Sequence, residues 1–567
     1  VCVAAAPQSQ TWTQRKTRSD TPRAPSAMIA LGTVLRVLAS LLALLMGYVF
    51  FQSSRYNANH RRRYAMMERT KKALKALGYE DYPFTNTTWQ MTLLECVRVA
   101  LLGTTLFPAK IVMLACTLWS TALMAGFLVA IGQVKLAQAA TVKGARAVLL
   151  VVGFWHVKVV GKQEPNVGAI VMNHFTWTDG LFAAAFLRAR PLAEEENFQN
   201  WALAKCAVAL NMVLFSRGGS PEARQAVRKV IGEQATKAAQ GLEEPLFVFP
   251  EATTKDLKTL IPFKDGAFAP GVPVQPMLLK YQWTNCDPCW AVSGPKTLML
   301  LARMLLRFHS RIELEFLPVV TPTEEEKRDP RLFAETVRTK MAKGLGAITS
   351  ELGVEDTLLT IHAAKAGLMP EVGVVGYRDL RSRFPLSTKT ARELMKIFKK
   401  RCRDPYGCLV WEDYVKWLSD TFGKRDEAQC KILRASFDEL ADSYPDMDFR
   451  QFLRRVALVP QEGPVKGDTA VSAEALFAAF ADGDALTSTA CEAMWTAATK
   501  ATDPESWWVR LHGDSPGRGP GGSAAAFQAM AGGKDAVSLE SFVAHVGKDA
   551  GLLADLRRGF ACRLVSG

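Results

Sequence analysis

The chain has 567 residues, 49% of them hydrophobic and 22% charged, with a formal net charge of +15 at pH 7. That apolar share excludes a disordered polyelectrolyte, and the length allows about three or four domains with a full core. The eleven cysteines are scattered and odd in number, which excludes a secreted disulfide framework and fits reducing, cytosol-facing surroundings.

Residues 1–27 precede the first methionine and read as a disordered leader. The stretch "MIALGTVLRVLASLLALLMGYVFF" (28–51) is ~24 residues, long enough to cross a ~30 Å hydrocarbon core despite Arg36. It is too long for a signal-peptide core and no small-residue cleavage site comes after it, so it reads as a transmembrane anchor. Residues 52–92 read as a basic linker carrying Arg61, Arg62, Arg63, Lys71, Lys72 and Lys75. Thirteen Lys and Arg stand against four acids in the first 81 residues, a balance that suits anionic lipid at about 1 kcal/mol per cation. No base-reading motif accompanies them, so nucleic acid is not expected as a partner. Asn86 in "NTT" is a formal glycosylation acceptor usable only on a lumenal side, and it reads as incidental.

Residues 93–132 form a second apolar region, ~58 Å long if drawn as one straight helix. Pro108 and Lys110 are expected to interrupt it. Either a hairpin dipping into one leaflet or an interfacial helix followed by a span over 111–131 fits the length. A hairpin keeps the later domains on the side of Arg61–Arg63, which positive charge assigns to the cytosol.

From about 145 to 370, short apolar runs alternate with helical stretches, the pattern of an α/β domain. "VGAIVMN" (167–173) reads as a buried strand and "TDGLFAAAFLRA" (178–189) as a helix, so His174 falls where a strand ends and a helix begins. "VLFSRGG" (213–219), "PLFVFPEATT" (245–254) and "GVPVQPMLLKY" (271–281) are further strands, the first two ending in Arg217 and Glu251. The two prolines of the last suggest an edge position. Cys286 and Cys289 have C-x-x-C spacing but no second ligand pair, so they read as free thiols and no metal is expected.

The blocks "NHFTWTD", "LFSRGG", "FPEATT" and "VPVQPMLLKY" resemble the four motifs of the glycerolipid acyltransferase family, and most strongly its lysophosphatidylcholine acyltransferase branch. "PFKDGAFAPGVPVQPMLLKY", "ALLGTTLFPAKIVML" and the run from Phe308 to Gly346 carry the same likeness, which is strong over roughly 90 to 370 and weaker beyond. The resemblance implies an acyltransferase domain over 133–370, a mixed sheet flanked by helices. It also implies acyl-CoA as co-substrate with no bound cofactor, a lysophospholipid acceptor, and an endoplasmic-reticulum membrane with the domain facing the cytosol. The residues suit that chemistry on their own terms. A lipid hydroxyl is poorly acidic, and neutral imidazole can take its proton near pH 7. His174 is the expected base and Asp179 the group that fixes its tautomer. Five residues separate them, ~140° on a helix, so a tight loop must bring them together. Asn173, Arg217, Glu251, Thr253 and Thr254 are the expected substrate-binding residues, Arg217 gripping phosphate and Glu251 either belonging to the acceptor block or orienting Arg217. Ala252 stands where the family usually has glycine, and Lys255 and Asp256 also depart from its pattern. Lysophosphatidic acid is the alternative acceptor, and a silent membrane scaffold the alternative class; a serine hydrolase is disfavoured for want of a G-x-S-x-G elbow set between a strand and a helix.

Residues 371–567 read as an all-α, EF-hand-like region. With Gly407 at loop position six, Cys402 is first, Tyr406 fifth and Asp413 twelfth; a second frame places Gln451 twelfth. Only Asp404 and Asp413 suit calcium in the first loop, so calcium binding is not expected. "DSPGRGPGGSAAA" (514–526) reads as a flexible linker.

Overall fold

The computed structural model describes residues 61–86, 92–216, 221–458, 470–499 and 528–566, apart from positions 104, 200, 284, 285, 385, 405, 443, 482 and 549, and before residue 61 only 36, 40 and 54. The expected leader, the 28–51 anchor apart from Arg36 and Ser40, Arg217 and the 514–526 linker therefore lie outside the described residues.

Residues 61–76, expected as linker, form a helix (α1). Its apolar positions account for this: Met66 joins the core of the C-terminal region, and Leu74 packs with Tyr82, Phe84 and Ile261 beside the sheet. Two helices come next, α2 (Leu93–Gly103) and α3 (Leu106–Ala130). Pro108 and Lys110 do not interrupt the apolar run. Both fall in the first turns of α3, where proline forfeits no helical hydrogen bond. The Lys110 ammonium turns away to donate to the Arg307 carbonyl at 2.7 Å. Helix α3 pairs with α4 (Val134–Val152), the chain turning between them at Gly132 with φ +77°. Gly144 lets these helices touch, because a Cβ there would lie 2.2 Å from Thr121 Oγ1.

The central domain is a seven-stranded mixed sheet. Its strands are β1 (His156–Val160), β2 (Ala169–Met172), β3 (Arg190–Glu194), β4 (Val213–Phe215), β5 (Leu246–Val248), β7 (Val274–Gln282) and β8 (Arg311–Phe316), in the order β1-β8-β7-β2-β5-β3-β4. A separate pair, β6 (Thr259–Leu260) with β9 (Ile348–Thr349), lies outside this sheet. Only the β7–β8 pairing is antiparallel. Strand alternation fills two cores. Ile170 and Met172 of β2, with Met277, Leu279 and Tyr281 of β7, face α3, α4, α5 (Asp179–Phe186) and α8 (Thr297–Leu305). Ala169, Val171, Val274 and Leu278 face α7 (Pro221–Ala239) and α10 (Pro330–Leu345). Helix α6 (Trp201–Ala209) lies beyond β3, and α9 (Glu324–Arg328) opens on a Thr323 capping box.

The edge position expected for β7 is overturned: it lies between β8 and β2. Pro276 is tolerated because its missing N–H faces the chain just past the end of β8. There Leu317 N–H donates to the Pro276 carbonyl at 2.9 Å, and the Leu317 carbonyl takes its proton from Gln275 Nε2 at 3.2 Å instead.

The C-terminal region has its own core, which begins earlier than residue 371 because Leu359 and Ala363 of α11 (Val354–Lys365) belong to it. After α12 (Tyr377–Arg383) come two helix–loop–helix units: α13 (Thr388–Arg401) with α14 (Trp411–Phe422), and α15 (Glu427–Leu440) with α16 (Phe449–Phe452). Their loops are joined by an antiparallel bridge of β10 (Cys408–Val410) and β11 (Asp446–Asp448). The arrangement recurs further on. The loop between α17 (Ala473–Phe480) and α18 (Ser488–Thr499) supplies β12 (Ala485–Thr487), which pairs with β13 (Ala536–Ser538) ahead of α19 (Leu539–Val546); α20 (Ala550–Ser566) closes the described chain.

Candidate active site

Strand β2 lies between β5 and β7 and runs parallel to both, so the C-terminal ends of all three open on one side of the sheet. His174 lies just past β2, Phe249 and Glu251 just past β5, and Tyr281 near the end of β7. The chain leaves β2 through the loop 173–178, which winds around one carboxylate. Asp179 Oδ2 accepts the Phe175 N–H at 2.5 Å and the Thr176 N–H at 2.8 Å, and lies 2.9 Å from His174 Nδ1. This loop supplies the proximity that helical geometry alone would deny to residues five apart. Asp179 is fully buried, whereas the His174 side chain is 21% exposed. The imidazole stacks on Phe249, centroids 3.9 Å apart and planes 15° from parallel, which fixes the ring plane.

The other oxygen of Asp179 is also taken. Tyr281 O–H donates to Oδ1 at 2.6 Å, and Thr178 Oγ1 lies 2.7 Å from the same phenol oxygen. Because the tyrosine proton goes to Asp179, the threonine hydroxyl is the donor to tyrosine. Burial, and then the neighbouring Asp179 charge, hold the Tyr281 phenol well above its ordinary pKa, so it remains a donor. Sequence reasoning assigns Tyr281 no role. Its only signal is a lone tyrosine closing an apolar strand.

Two of the expected substrate-binding residues, Asn173 and Glu251, bond to the protein's own backbone. Asn173 is fully buried and bonds both ways across the sheet: Nδ2 donates to the Leu279 carbonyl at 3.1 Å and Oδ1 accepts the Leu279 N–H at 2.8 Å. Glu251 is equally buried, accepting the His174 N–H at 3.1 Å on Oε1 and the Ile261 N–H at 3.2 Å on Oε2. The Lys255 ammonium, also fully buried, lies 3.4 Å from Glu251 Oε2. Burial pushes the Glu251 carboxyl upward, opposed by Lys255 and by the two backbone donors. Both polar side chains therefore hold the frame of the His174 loop.

Thr253 is half-buried, and the Thr254 hydroxyl donates to the Trp290 carbonyl. Ala252 adopts φ +56°, in the left-handed region that glycine enters without strain. Burial pushes the Asp256 carboxyl up to about 7, against the pull of Lys255. Strand β4, which leads to Arg217, is the sheet edge three strands from β2, about 14 Å at ordinary strand spacing.

A family profile described as Acyltransferase matches residues 156–280, which takes in His174, Asp179, Glu251 and most of β7. Lysophosphatidylcholine acyltransferase 2 of Mus musculus is 32% identical over 324 residues, covering 56% of this chain and 57% of the mouse protein. Its Homo sapiens counterpart is 30% identical over 401 residues, covering 66% of this chain and 70% of the human one. Among solved structures, the 1-acyl-sn-glycerophosphate acyltransferase PlsC of Thermotoga maritima is 18% identical over 45% of this chain and 94% of its own, with a TM-score of 0.28, too loose a superposition to carry an argument. The chain thus spans little more than half of the mouse relative and about two thirds of the human one. On that extent of shared sequence, the chain belongs to the lysophosphatidylcholine acyltransferase family.

Proposed function

We propose that the protein is a membrane-bound acyl-CoA:lysophospholipid O-acyltransferase that re-acylates lysophosphatidylcholine to phosphatidylcholine. The observation that carries this reading is the His174 Nδ1 to Asp179 Oδ2 contact of 2.9 Å, with the carboxylate buried and the imidazole partly exposed. An ionised Asp179 keeps the ring proton on Nδ1 and leaves Nε2 as the base. Nε2 takes the proton of the lipid hydroxyl as its oxygen bonds to the thioester carbonyl carbon. The C–S bond then breaks, and the departing thiolate takes the proton back from the imidazolium. Asp179 stabilises the imidazolium between these events. Arg217 and Thr253 are the candidates for the acceptor's polar head.

Membrane attachment is supported by α3. Among the described residues it is the one helix long and apolar enough to cross a membrane, ~37 Å at 1.5 Å per residue. Its Val112, Met113, Trp119, Leu123 and Phe127 are exposed. We place the enzyme in the endoplasmic-reticulum membrane with the sheet on the cytosolic side, where free cysteines such as Cys286 and Cys289 are at home. The bridged helix–loop–helix units are the basis for reading the tail as EF-hand-like. Its Asp413 is turned to the protein, accepting the Arg403 N–H at 2.9 Å, so we propose no calcium role there.

The test is acyl transfer by membranes carrying wild type or His174→Ala, each given lysophosphatidylcholine, lysophosphatidic acid and other lysophospholipids with several acyl-CoAs. Loss of a general base costs about 10²–10⁴-fold. Equal activity of the two preparations rejects the mechanism, preference for lysophosphatidic acid replaces the acceptor, and an inactive wild type leaves the silent scaffold.

A further inference from the structure

The basic helix and the ligand-poor loops are unrelated features of the sequence, and in the structure they meet. Arg62 and Arg69 are seven residues apart, two turns along one face of α1. The Arg62 guanidinium lies 4.5 Å from the centre of the Tyr406 ring, and that of Arg69 lies 4.1 Å from the centre of the Tyr444 ring. With Gln451 as the twelfth residue of the second loop, Tyr406 and Tyr444 hold the same fifth position in their loops.

Arg69 reaches further in. Its Nη2 donates to the Asp446 carbonyl and to Gln451 Oε1, both at 2.7 Å. Its Nη1 pairs with the Asp446 carboxylate, and its Nε lies 3.8 Å from Asp448 Oδ2. Asp446, Asp448 and Gln451 are the seventh, ninth and twelfth loop positions, from which a calcium loop offers a backbone carbonyl and side-chain or water-borne oxygens. We propose that this loop is a guanidinium-binding site whose ligand is Arg69 of the same chain, standing where a metal ion would otherwise be held.

The surrounding chemistry suits a planar cation that donates hydrogen bonds. Gln451 gives its oxygen to Arg69 while its Nε2 donates to Asp442 Oδ2 at 3.2 Å, an arrangement a glutamate would break by facing Asp442 with like charge. Asp448 is shared, since Arg450 Nη2 donates to it at 2.7 Å and Asp448 Oδ1 caps α16 by accepting the Gln451 N–H. Asp446 is therefore the main anionic partner of Arg69. The Arg69 side chain is only 9% exposed. The contact pins the helix that comes after the apolar 28–51 stretch onto the tail without any dissociable ion.

The test uses the full chain in detergent and measures amide hydrogen exchange over 61–76 and 441–451, in wild type, Arg69→Ala and Arg69→Lys. Millimolar calcium, methylguanidinium or methylammonium is added in separate arms. Wild type is expected to be protected and indifferent to calcium, whereas Arg69→Ala exchanges roughly tenfold or more faster in both segments. Methylguanidinium restores Arg69→Ala; methylammonium, calcium and the lysine variant do not. Unchanged protection in Arg69→Ala, or rescue by calcium as good as by methylguanidinium, overturns the proposal. Should Arg69→Ala fail to fold, Asp446→Asn keeps the carbonyl but removes the anion, and it must raise exchange in 61–76; if it does not, the proposal falls.

Discussion

Tyr281→Phe removes one oxygen and keeps the ring, whose centroid lies 5.0 Å from Phe175, 5.9 Å from Phe154 and 6.1 Å from Phe182. The geometry has three consequences: the buried Asp179 Oδ1 loses a 2.6 Å donor, the Thr178 hydroxyl loses its acceptor, and the atoms of the His174–Asp179 contact are all retained. A buried hydrogen bond to a charged group contributes about 1.5–3 kcal/mol. At 1.36 kcal/mol per factor of ten this corresponds to about 10- to 160-fold in rate if the whole contribution is felt in the transition state. The phenol holds Asp179 in the orientation that presents Oδ2 to His174 Nδ1, so kcat/KM should fall by up to that factor while the KM for acyl-CoA stays near wild type. The assay is release of the coenzyme thiol from acyl-CoA in the presence of lysophosphatidylcholine, with Thr178→Val as a companion. A well-folded Tyr281→Phe enzyme with wild-type kcat/KM refutes the reasoning, because it would mean that this bond does not reach the base.

Asp256 gives a pH signature, in stability. Its folded value of about 7 lies above the ordinary 3.8, so the native state prefers the protonated carboxyl; that stability is fully present below pH 3.8 and is lost as pH rises through about 7. Thermal denaturation of wild type should weaken relative to Asp256→Asn by up to about 4 kcal/mol between pH 4 and pH 8, and parallel curves would show that the site is wetter than its burial implies. At Ala252, substitution by glycine relieves a left-handed φ at some cost in unfolded-chain entropy. A net gain of about 0.5–1 kcal/mol is expected in chemical or thermal unfolding, and a loss would mean that the alanine methyl packs usefully.

The meeting of His174 with Asp179 was more legible in the sequence than the framework around it. A strand leading into Asn173 and His174 and a helix opening on Asp179 leave little freedom for where the pair can meet, and the blocks holding His174 and Glu251 follow β2 and β5 as their apolar runs require. The bonds that Asn173 and Glu251 make to buried backbone groups could not be foreseen, because residue type alone does not separate a polar group aimed at substrate from one satisfying the main chain. Pro276 misled because the rule against proline in a central strand assumes that the neighbouring strand continues alongside. Here β8 has already ended, and Gln275 supplies the missing donor. Pro108 misled in the opposite sense, since proline breaks a helix interior but suits its first turn. The cations of α1 were read by composition as lipid-facing, and only tertiary contacts reveal that Arg63 pairs with Glu371 at 3.2 Å and Arg69 with the second loop.

The position of α1 bears on how the polypeptide can be divided. A fragment ending near residue 370 would keep Arg62, Arg63 and Arg69 but discard Glu371, Tyr406, Tyr444 and Asp446, and it would strip Met66 of its apolar neighbours. It would also sever α11 from the hydrophobic cluster to which Leu359 and Ala363 belong. Any such truncation would expose a cationic, greasy rod next to the sheet. Inactivity or clumping of a shortened protein would then report on that injury, and not on a signalling duty of the missing third.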